Sequence, residues 1–552
     1  MKQDKLKPML FSVLKKYSKE QFAKDVISGI IVAIIALPLS IALALASGVG
    51  PEEGIYTAIV AGFLISFFGG SRVQIAGPTA AFATIVAGIV AKSGMEGLML
   101  ATLFAGVILI LMGIFKLGGL IKFIPYTITV GFTAGIAVTI VIGQIKDFLG
   151  LTFAKGTPAI ETMDKLKAVA VNFHTLNGEA LLVGLVSLAV LIAWPMIPKI
   201  GEKIPGSLIA VFAGIGMVKG LGMEVNTIGA LYTISNKLPT LHIPSFSWSA
   251  LTNVASDAFT IAILAAIESL LSCVVADSMI NSHHRSNMEL VAQGIGNVGS
   301  ALFGGIPATG AIARTAANIK NGGRTPIAGM VHSVVLVLVL IILMPYAALI
   351  PMPTIAAILF MVAYNMCGWR AFARLCKRAP KSDIIVLMTT FILTVCFNLV
   401  IAIGVGMVLA CILLMKRMAE ETSVKGWEYF DPESDPDNIE LREVPQHVRV
   451  YEISGPMFFG VAERFAEITL KDFTKVLIIR MRGVPTLDAT AIHSLIALYE
   501  RCKEHGVQII FSHVNEQPMR SLEKAGMVKM VGRENFCAHI DDALKRAATF
   551  ES

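Results

Sequence analysis

The amino-acid sequence predicts a polytopic α-helical membrane protein, with about fourteen transmembrane segments in a seven-plus-seven inverted repeat and a small cytoplasmic α/β domain behind them. Three observations lead there. Of the 552 residues, 55% are hydrophobic and only 15% charged, and the mean hydropathy is +0.72; a soluble domain carries roughly 25% charged residues. Apolar windows of about 20 residues, each long enough to cross the hydrocarbon core as a helix, recur from Val26 to Met415. Past Lys416-Arg417 that pattern stops and short alternating runs replace it.

The first 25 residues are basic and amphipathic and read as a cytoplasmic N-terminus rather than a cleavable leader. A first series of apolar spans falls near residues 26–47, 55–69, 79–91, 98–115, 124–145, 180–198 and 205–220. After a linker over 221–256, a second series falls near 257–278, 288–304, 310–320, 326–344, 350–365, 383–398 and 399–418. The two repeats are therefore 26–220 and 257–418. The spans opening at Thr79 and Gly310 are too short to cross about 30 Å alone.

Loop charge orients the chain. Arg72, Lys116 with Lys122, Lys199 with Lys203, His283-His284-Arg285, Lys320 with Arg324, and the run from Arg370 to Lys381 all fall on the side of the N-terminus. Opposite loops carry Glu52-Glu53 and a mixed-charge stretch from Lys146 to Asp164. Basic loops stay in the cytoplasm, and an even number of crossings returns the C-terminal domain there. The net charge of +7, from 46 basic and 39 acidic residues, is then topogenic and predicts no nucleic-acid partner. Seven scattered cysteines show no ligand spacing; Cys273, Cys396 and Cys411 lie in apolar runs.

Residues 419–445 are charged, carry Pro432, Pro436 and Pro445, and read as a linker. In residues 446–552, strands are expected at 448–453, 476–481 and 507–512, and helices at 489–504, 516–525 and 538–548. That order is a small α/β domain of about 100 residues.

An internal echo within the membrane part is the most informative feature. Phe68-Gly69-Gly70 closes one span and Phe303-Gly304-Gly305 another, and each is followed by a breaker-rich stretch and a short helix of small residues. The two openings read Thr79-Ala80-Ala81-Phe82-Ala83 and Thr309-Gly310-Ala311-Ile312-Ala313. With seven spans in each copy, the copies are inverted across the bilayer, and interrupted helices at matching positions point to a midplane binding site. A helix starting inside the membrane exposes its first backbone N–H groups and the positive end of its dipole, which an anion satisfies. Thr79 and Thr309 are expected to cap these starts. Ala80, Ala81, Gly310 and Ala311 are small enough to let a ligand reach the backbone.

Ionisable groups at membrane depth are functional by default. Glu268 lies at the centre of its span, with Ser272 one turn away on the same face, and is the natural group for coupling to a proton or cation. Arg314, on the first turns of the second broken helix, either attracts the anion or ties down Glu268 or backbone carbonyls. Asp277 and Lys320, near span ends, are expected to be solvated, His332 interfacial, and Gln144, Asn297 and Asn318 to hydrogen-bond between helices.

Ala36-Leu37-Pro38-Leu39-Ser40-Ile41-Ala42, Gly54-Ile55-Tyr56-Thr57-Ala58, Gly77-Pro78-Thr79-Ala80, Glu268-Ser269-Leu270-Leu271-Ser272, Gly304-Gly305-Ile306-Pro307 and Arg314-Thr315 together resemble the sulfate permease (SulP) family of anion transporters. The resemblance covers nearly the whole chain. It implies a core and a gate domain working by an elevator-like movement, a C-terminal STAS domain, a homodimer, and a bacterial inner-membrane setting. It also implies an anion site at Thr79, Ala80, Gly310, Ala311 and Ile312, and a coupling site at Glu268 and Ser272. Sodium-coupled bicarbonate members tend to carry Asp where this chain has Glu268, so a proton is the expected coupling ion; no other cofactor and no metal is expected. In the STAS domain, Leu487-Asp488-Ala489-Thr490-Ala491 matches the region where anti-sigma antagonists carry a phosphorylatable serine. Thr490 is the counterpart and a candidate for regulation or partner binding, against an ordinary helix cap at Asp488.

These readings favour a coupled transporter of a small anion, namely sulfate, bicarbonate or a C4-dicarboxylate, by symport or exchange, and not an enzyme. A sodium-coupled bicarbonate symporter and an uncoupled channel with STAS-linked regulation are the alternatives. A channel needs no buried titratable carboxylate.

Overall fold

The computed structural model describes residues 6–119, 124–154, 161–197, 205–245, 248–397, 399–426, 444–445, 447–461, 468 and 474–550. Expectations for Lys122, Lys199, Lys203 and most of the 419–445 linker lie outside the described residues. The chain divides into two compact units, Met1–Met407 and Val408–Ser552, with the boundary inside a helix.

The first unit is helical. Its elements are α1 (Lys19–Ala46), α2 (Pro51–Phe68), β1 (Ala76–Gly77), α3 (Ala80–Ile114), α4 (Tyr126–Leu149), α5 (Thr162–Val171), α6 (Gly178–Ala193), α7 (Gly206–Leu221), α8 (Trp248–Ile280) and α9 (Ser286–Leu302). They continue as β2 (Thr309–Gly310), α10 (Ile312–Lys320), α11 (Ile327–Ala347), α12 (Met352–Cys367), α13 (Trp369–Arg378), α14 (Lys381–Cys396) and α15 (Leu399–Glu421). Among the described residues, eight helices are long and apolar enough to cross a membrane alone. The expected spans 79–91 and 98–115 are two legs of α3, broken at Gly94, whose φ of 66° and ψ of −170° interrupt the helix.

Local chemistry sets many ends. The Ser18 side chain accepts from Gln21 N at the start of α1, and Pro51 opens α2 with Glu52 and Glu53 in its first turn. Helices α4, α7 and α12 stop at Gly150, Gly222 and Gly368, each in the left-handed region. Three expectations needed correction. Helix α8 starts at Trp248 inside the expected 221–256 linker, and α5 and α13 occupy expected loops. The sequences of α5 and α13 are amphipathic rather than apolar, so a hydropathy window passes over them.

Small residues let helices approach. A Cβ on Gly106 would lie 2.7 Å from Gly294 O, and one on Gly294 would lie 2.4 Å from Gly106 O. Helices α3 and α9 therefore pack backbone to backbone, the usual device where lipid offers no hydrophobic drive.

The second unit holds a five-stranded sheet of β3 (Ser423–Gly426), β4 (Val448–Ser454), β5 (Val476–Gly483), β6 (Gln508–Ser512) and β7 (Phe536–Cys537) in that order. The β3–β4 pair is antiparallel and the rest are parallel. Helices α16 (Ala489–Glu504), α17 (Glu516–Lys524), α18 (Met527–Val531) and α19 (Ile540–Ala548) complete it. Leu495, Leu498 and Cys502 pack in one core, and Ile540, Ala543 and Ala547 in another, so β5 is covered on both faces. Burial pushes the Cys502 thiol up to about 11. The short β3 and β7 were not expected from the alternating pattern; β3 falls within the expected linker.

Candidate functional site

The two breaker-rich stretches meet. β1 and β2 pair antiparallel, with Ala76 opposite Gly310 and Gly77 opposite Thr309. The pair is pinned on each side. Ile75 N donates to Thr315 Oγ1 at 3.0 Å and Ala311 N donates to Ile75 O at 2.9 Å. Gly310 N donates to Ser269 Oγ at 3.1 Å. Thr309 Oγ1 donates to Ala265 O at 3.2 Å and lies 2.6 Å from Ser269 Oγ, which must then be the donor between them. Two-residue strands thus satisfy backbone groups that neither helix start can satisfy itself.

A cavity of about 330 Å3 opens beside this pair. Pro78, Thr79, Ala80, Gly310, Ala311 and Ile312, with Ala313 and Arg314, form one wall, and Glu268 of α8 joins them. Leu39 and Leu43 of α1, Thr133 of α4, and Val362, Asn365 and Met366 of α12 form the rest. The starts of α3 and α10 both face it. The first leg of α3 spans roughly 20 Å and α10 roughly 14 Å at 1.5 Å per residue, both short of a crossing.

Thr79 Oγ1 donates to Glu268 Oε2 at 3.0 Å. Neither threonine caps its helix, contrary to expectation. Thr79 is the N-cap residue of α3 but makes no side-chain cap bond, and α10 starts after Ala311 without a side-chain cap. Their hydroxyls turn instead to neighbouring helix α8, donating to Glu268 Oε2 and Ala265 O. Of the remaining expected residues, Ala81 and Thr309 are buried behind the cavity wall. Ser272 does not line the cavity either; its hydroxyl is buried with no hydrogen-bond partner among the described residues.

Arg314 is 1% exposed. Its Nη2 donates to Pro78 O at 2.5 Å, while Nε and Nη1 have no partner among the described residues, and none of the ion pairs there includes it. A buried guanidinium with donors to spare, lining a cavity, is a ready anion ligand.

Other expectations changed. His332 is fully buried rather than interfacial, and neither ring nitrogen has a partner among the described residues. Asp277 is not simply solvated, since its Oδ2 accepts from His284 N and faces His284 Nδ1, both at 2.8 Å. Asn297 and Asn318 do bridge elements: Asn297 bonds Ala308 N and O, and Asn318 bonds Val73 O and Ser28.

Two buried carboxylates went unnoticed in the sequence. Glu289 accepts from Gly70 N, Ser71 N, Gln74 Nε2 and Gln293 Nε2 at 2.8–3.0 Å. Asp25 accepts from Tyr17, Gln21, Arg324 N and Thr325. Both tie down loops flanking the broken helices. The signal for Glu289 was the polar series Glu289, Gln293, Asn297 and Ser300, one face of a helix. In the second unit, Asp488 Oδ1 accepts from Ala491 N at 2.8 Å and caps α16, while Thr490 is exposed.

Comparison with known proteins agrees with this architecture. The sulfate permease family matches residues 22–390 and the STAS domain residues 438–543. The chain is 40% identical to "Putative sulfate transporter YvdB" of Bacillus subtilis (strain 168), over 96% of this chain and 98% of that one. It is 33% identical to bicarbonate transporter BicA of Picosynechococcus sp. (strain ATCC 27264 / PCC 7002 / PR-6), over 95% and 94%. The murine Solute Carrier 26 family member A9 anion transporter shares the fold, with a TM-score of 0.87 at 20% identity, over 99% of this chain and 94% of that one. The chain belongs to the sulfate permease family of membrane anion transporters, carries a C-terminal STAS domain, and is a transporter rather than an enzyme.

Proposed function

We propose that this protein is a secondary active transporter that couples a small anion to a proton through Glu268 and moves it by an elevator-like displacement of the broken helices. The observation that carries this reading is that Glu268 and Arg314 line one cavity with both helix starts. An anion there is attracted by Arg314 and by the backbone N–H groups of α3 and α10. It is repelled by an ionised Glu268: two unit charges about 6 Å apart at an effective dielectric near 20 repel by about 3 kcal/mol, roughly a hundredfold in affinity. Protonation removes that penalty, so anion and proton each favour the other's binding, which is the thermodynamic content of symport. Thr79 suits both states, because its hydroxyl donates to a carboxylate and accepts from a carboxyl O–H.

Sulfate, bicarbonate and C4-dicarboxylates fit a site that reads charge and size through backbone dipoles; the names of the two relatives support the first two. The basic loops support a bacterial inner-membrane orientation with the N-terminus and STAS domain in the cytoplasm, and the family supports a homodimer. Exposed Thr490 is a regulatory candidate on the STAS surface.

Reconstituted into liposomes, the wild type should show saturable uptake of one of these anions that needs no sodium and collapses when a protonophore removes the proton gradient. Glu268→Gln should retain anion binding and lose proton-driven accumulation. Strict sodium dependence would overturn proton coupling. Unsaturable flux unaffected by Glu268→Gln would make the protein a channel.

A further inference from the structure

A second cavity, of about 500 Å3, lies in the same unit farther along the helices that build the first. On α3, Ala80 lines the first cavity and Thr84 the second; on α4, Thr133 and Thr139; on α8, Glu268 and Thr260. These steps of four, six and eight residues are about 6, 9 and 12 Å of helix rise. The second cavity is therefore the next chamber along, at the end away from the N-terminus of α1.

Its charged lining is Lys92 on α3, Lys165 on α5 with Glu161 just before it, and Asp257 on α8; α4, α14 and α15 bring none. Lys92 Nζ stands 3.9 Å from Asp257 Oδ2, a loose pair, and that oxygen makes no hydrogen bond among the described residues. Lys165 is half-buried, and among the described residues it makes no ion pair or hydrogen bond; a Cβ on Gly143 would lie 3.7 Å from its Nζ. Burial holds its pKa below the ordinary lysine value, as befits an ammonium withdrawn from water without a counter-ion. The hydroxyls of Thr139, Thr260 and Thr394 donate to carbonyls of their own helices, so they turn lone pairs to the cavity. Its charged donors are the two ammoniums, while these three threonines can hold the water an anion brings with it.

We propose that this chamber is an anion-capture subsite on the route to the substrate cavity, in which Lys165, and Lys92 once drawn from Asp257, hold the incoming anion. It rests on anion transport and not on proton coupling. In the proposed orientation it faces the outside and acts on uptake.

The test is uptake of sulfate and bicarbonate by intact cells. Lys165→Gln should raise KM three- to tenfold at nearly unchanged maximal rate, and flatten the fall of uptake with ionic strength. Asp257→Asn should act in the opposite sense, lowering KM by freeing Lys92. An unchanged KM and salt dependence in Lys165→Gln, or a KM raised by Asp257→Asn as well, overturns the proposal. A second measurement is independent of transport. In purified Arg314→Met protein, whose substrate cavity lacks its cation, sulfate or bicarbonate at constant ionic strength should still raise the melting temperature. Adding Lys165→Gln should abolish that rise. Its absence in Arg314→Met, or its persistence without Lys165, overturns the subsite even where neither anion proves to be the transported one.

Discussion

The two broken-helix starts use the same backbone device and different side-chain chemistry. The first, at Pro78-Thr79-Ala80, offers a hydroxyl bonded to Glu268 and a carbonyl, Pro78 O. The second, at Gly310-Ala311-Ile312, offers no hydroxyl to the cavity but places Arg314 on the next turn, whose guanidinium reaches back to that carbonyl across 236 residues of sequence. The first half thus tends the titratable group and the second supplies the cation, and each is incomplete alone. Pairing β1 with β2 makes one site out of two unlike halves.

Arg314→Met tests that division most severely. It removes the cavity's cation, and anion uptake should fall at least ~100-fold, in line with a charge-assisted ligand worth about 3 kcal/mol. The fold should survive. A buried cation without a carboxylate partner favours unfolding, and the orphaned Pro78 O costs only about 1 kcal/mol. Uptake and melting temperature measured together check this; a protein that unfolds instead would make Arg314 a strut rather than a ligand.

Next in size is Gly310→Ala. Its counterpart in the first copy, Ala80, already carries a methyl group, but a Cβ at Gly310 would lie 2.2 Å from Gln74 Nε2. Gln74 cannot step aside, since Nε2 donates to Glu289 at 2.9 Å and Oε1 accepts from Cys273 at 2.8 Å. Overpacking of about 2 kcal/mol should lower uptake roughly thirtyfold, whereas Ala80→Gly stays close to wild type. Equal losses at the two positions would erase the asymmetry.

The smallest effect sharpens the comparison. Thr79→Val removes the bond to Glu268, about 1 kcal/mol, and should reduce uptake roughly fivefold while displacing its pH profile. Thr309→Val removes bonds to Ser269 and Ala265 behind the wall and should lower the melting temperature without moving that profile. A shared pH displacement would place both hydroxyls on the titrating group.

Much of this was legible without coordinates, and for local reasons. Hydropathy marks α1, α4 and α11 because a helix in lipid must be apolar over its own length. The Ala489–Glu504 helix was readable to the residue, since amphipathic spacing and the Asp488 cap act within one turn. Glu268 stood out because a carboxylate amid 20 apolar residues is costly wherever it points.

What the sequence by itself determined is therefore where chain enters the bilayer, where its helices break, and which central carboxylate demands a function. Only the tertiary structure decided which groups meet. It turned Thr79 from its own helix cap toward Glu268, 189 residues away. It left Ser272 off the cavity although it lies one turn from Glu268, buried His332, and clamped the β1 approach with Glu289. The physical reason is range. Hydropathy, periodicity and capping are set by neighbours within a few residues, whereas a buried hydroxyl or guanidinium chooses its partner from whatever the packed helices bring within 3 Å.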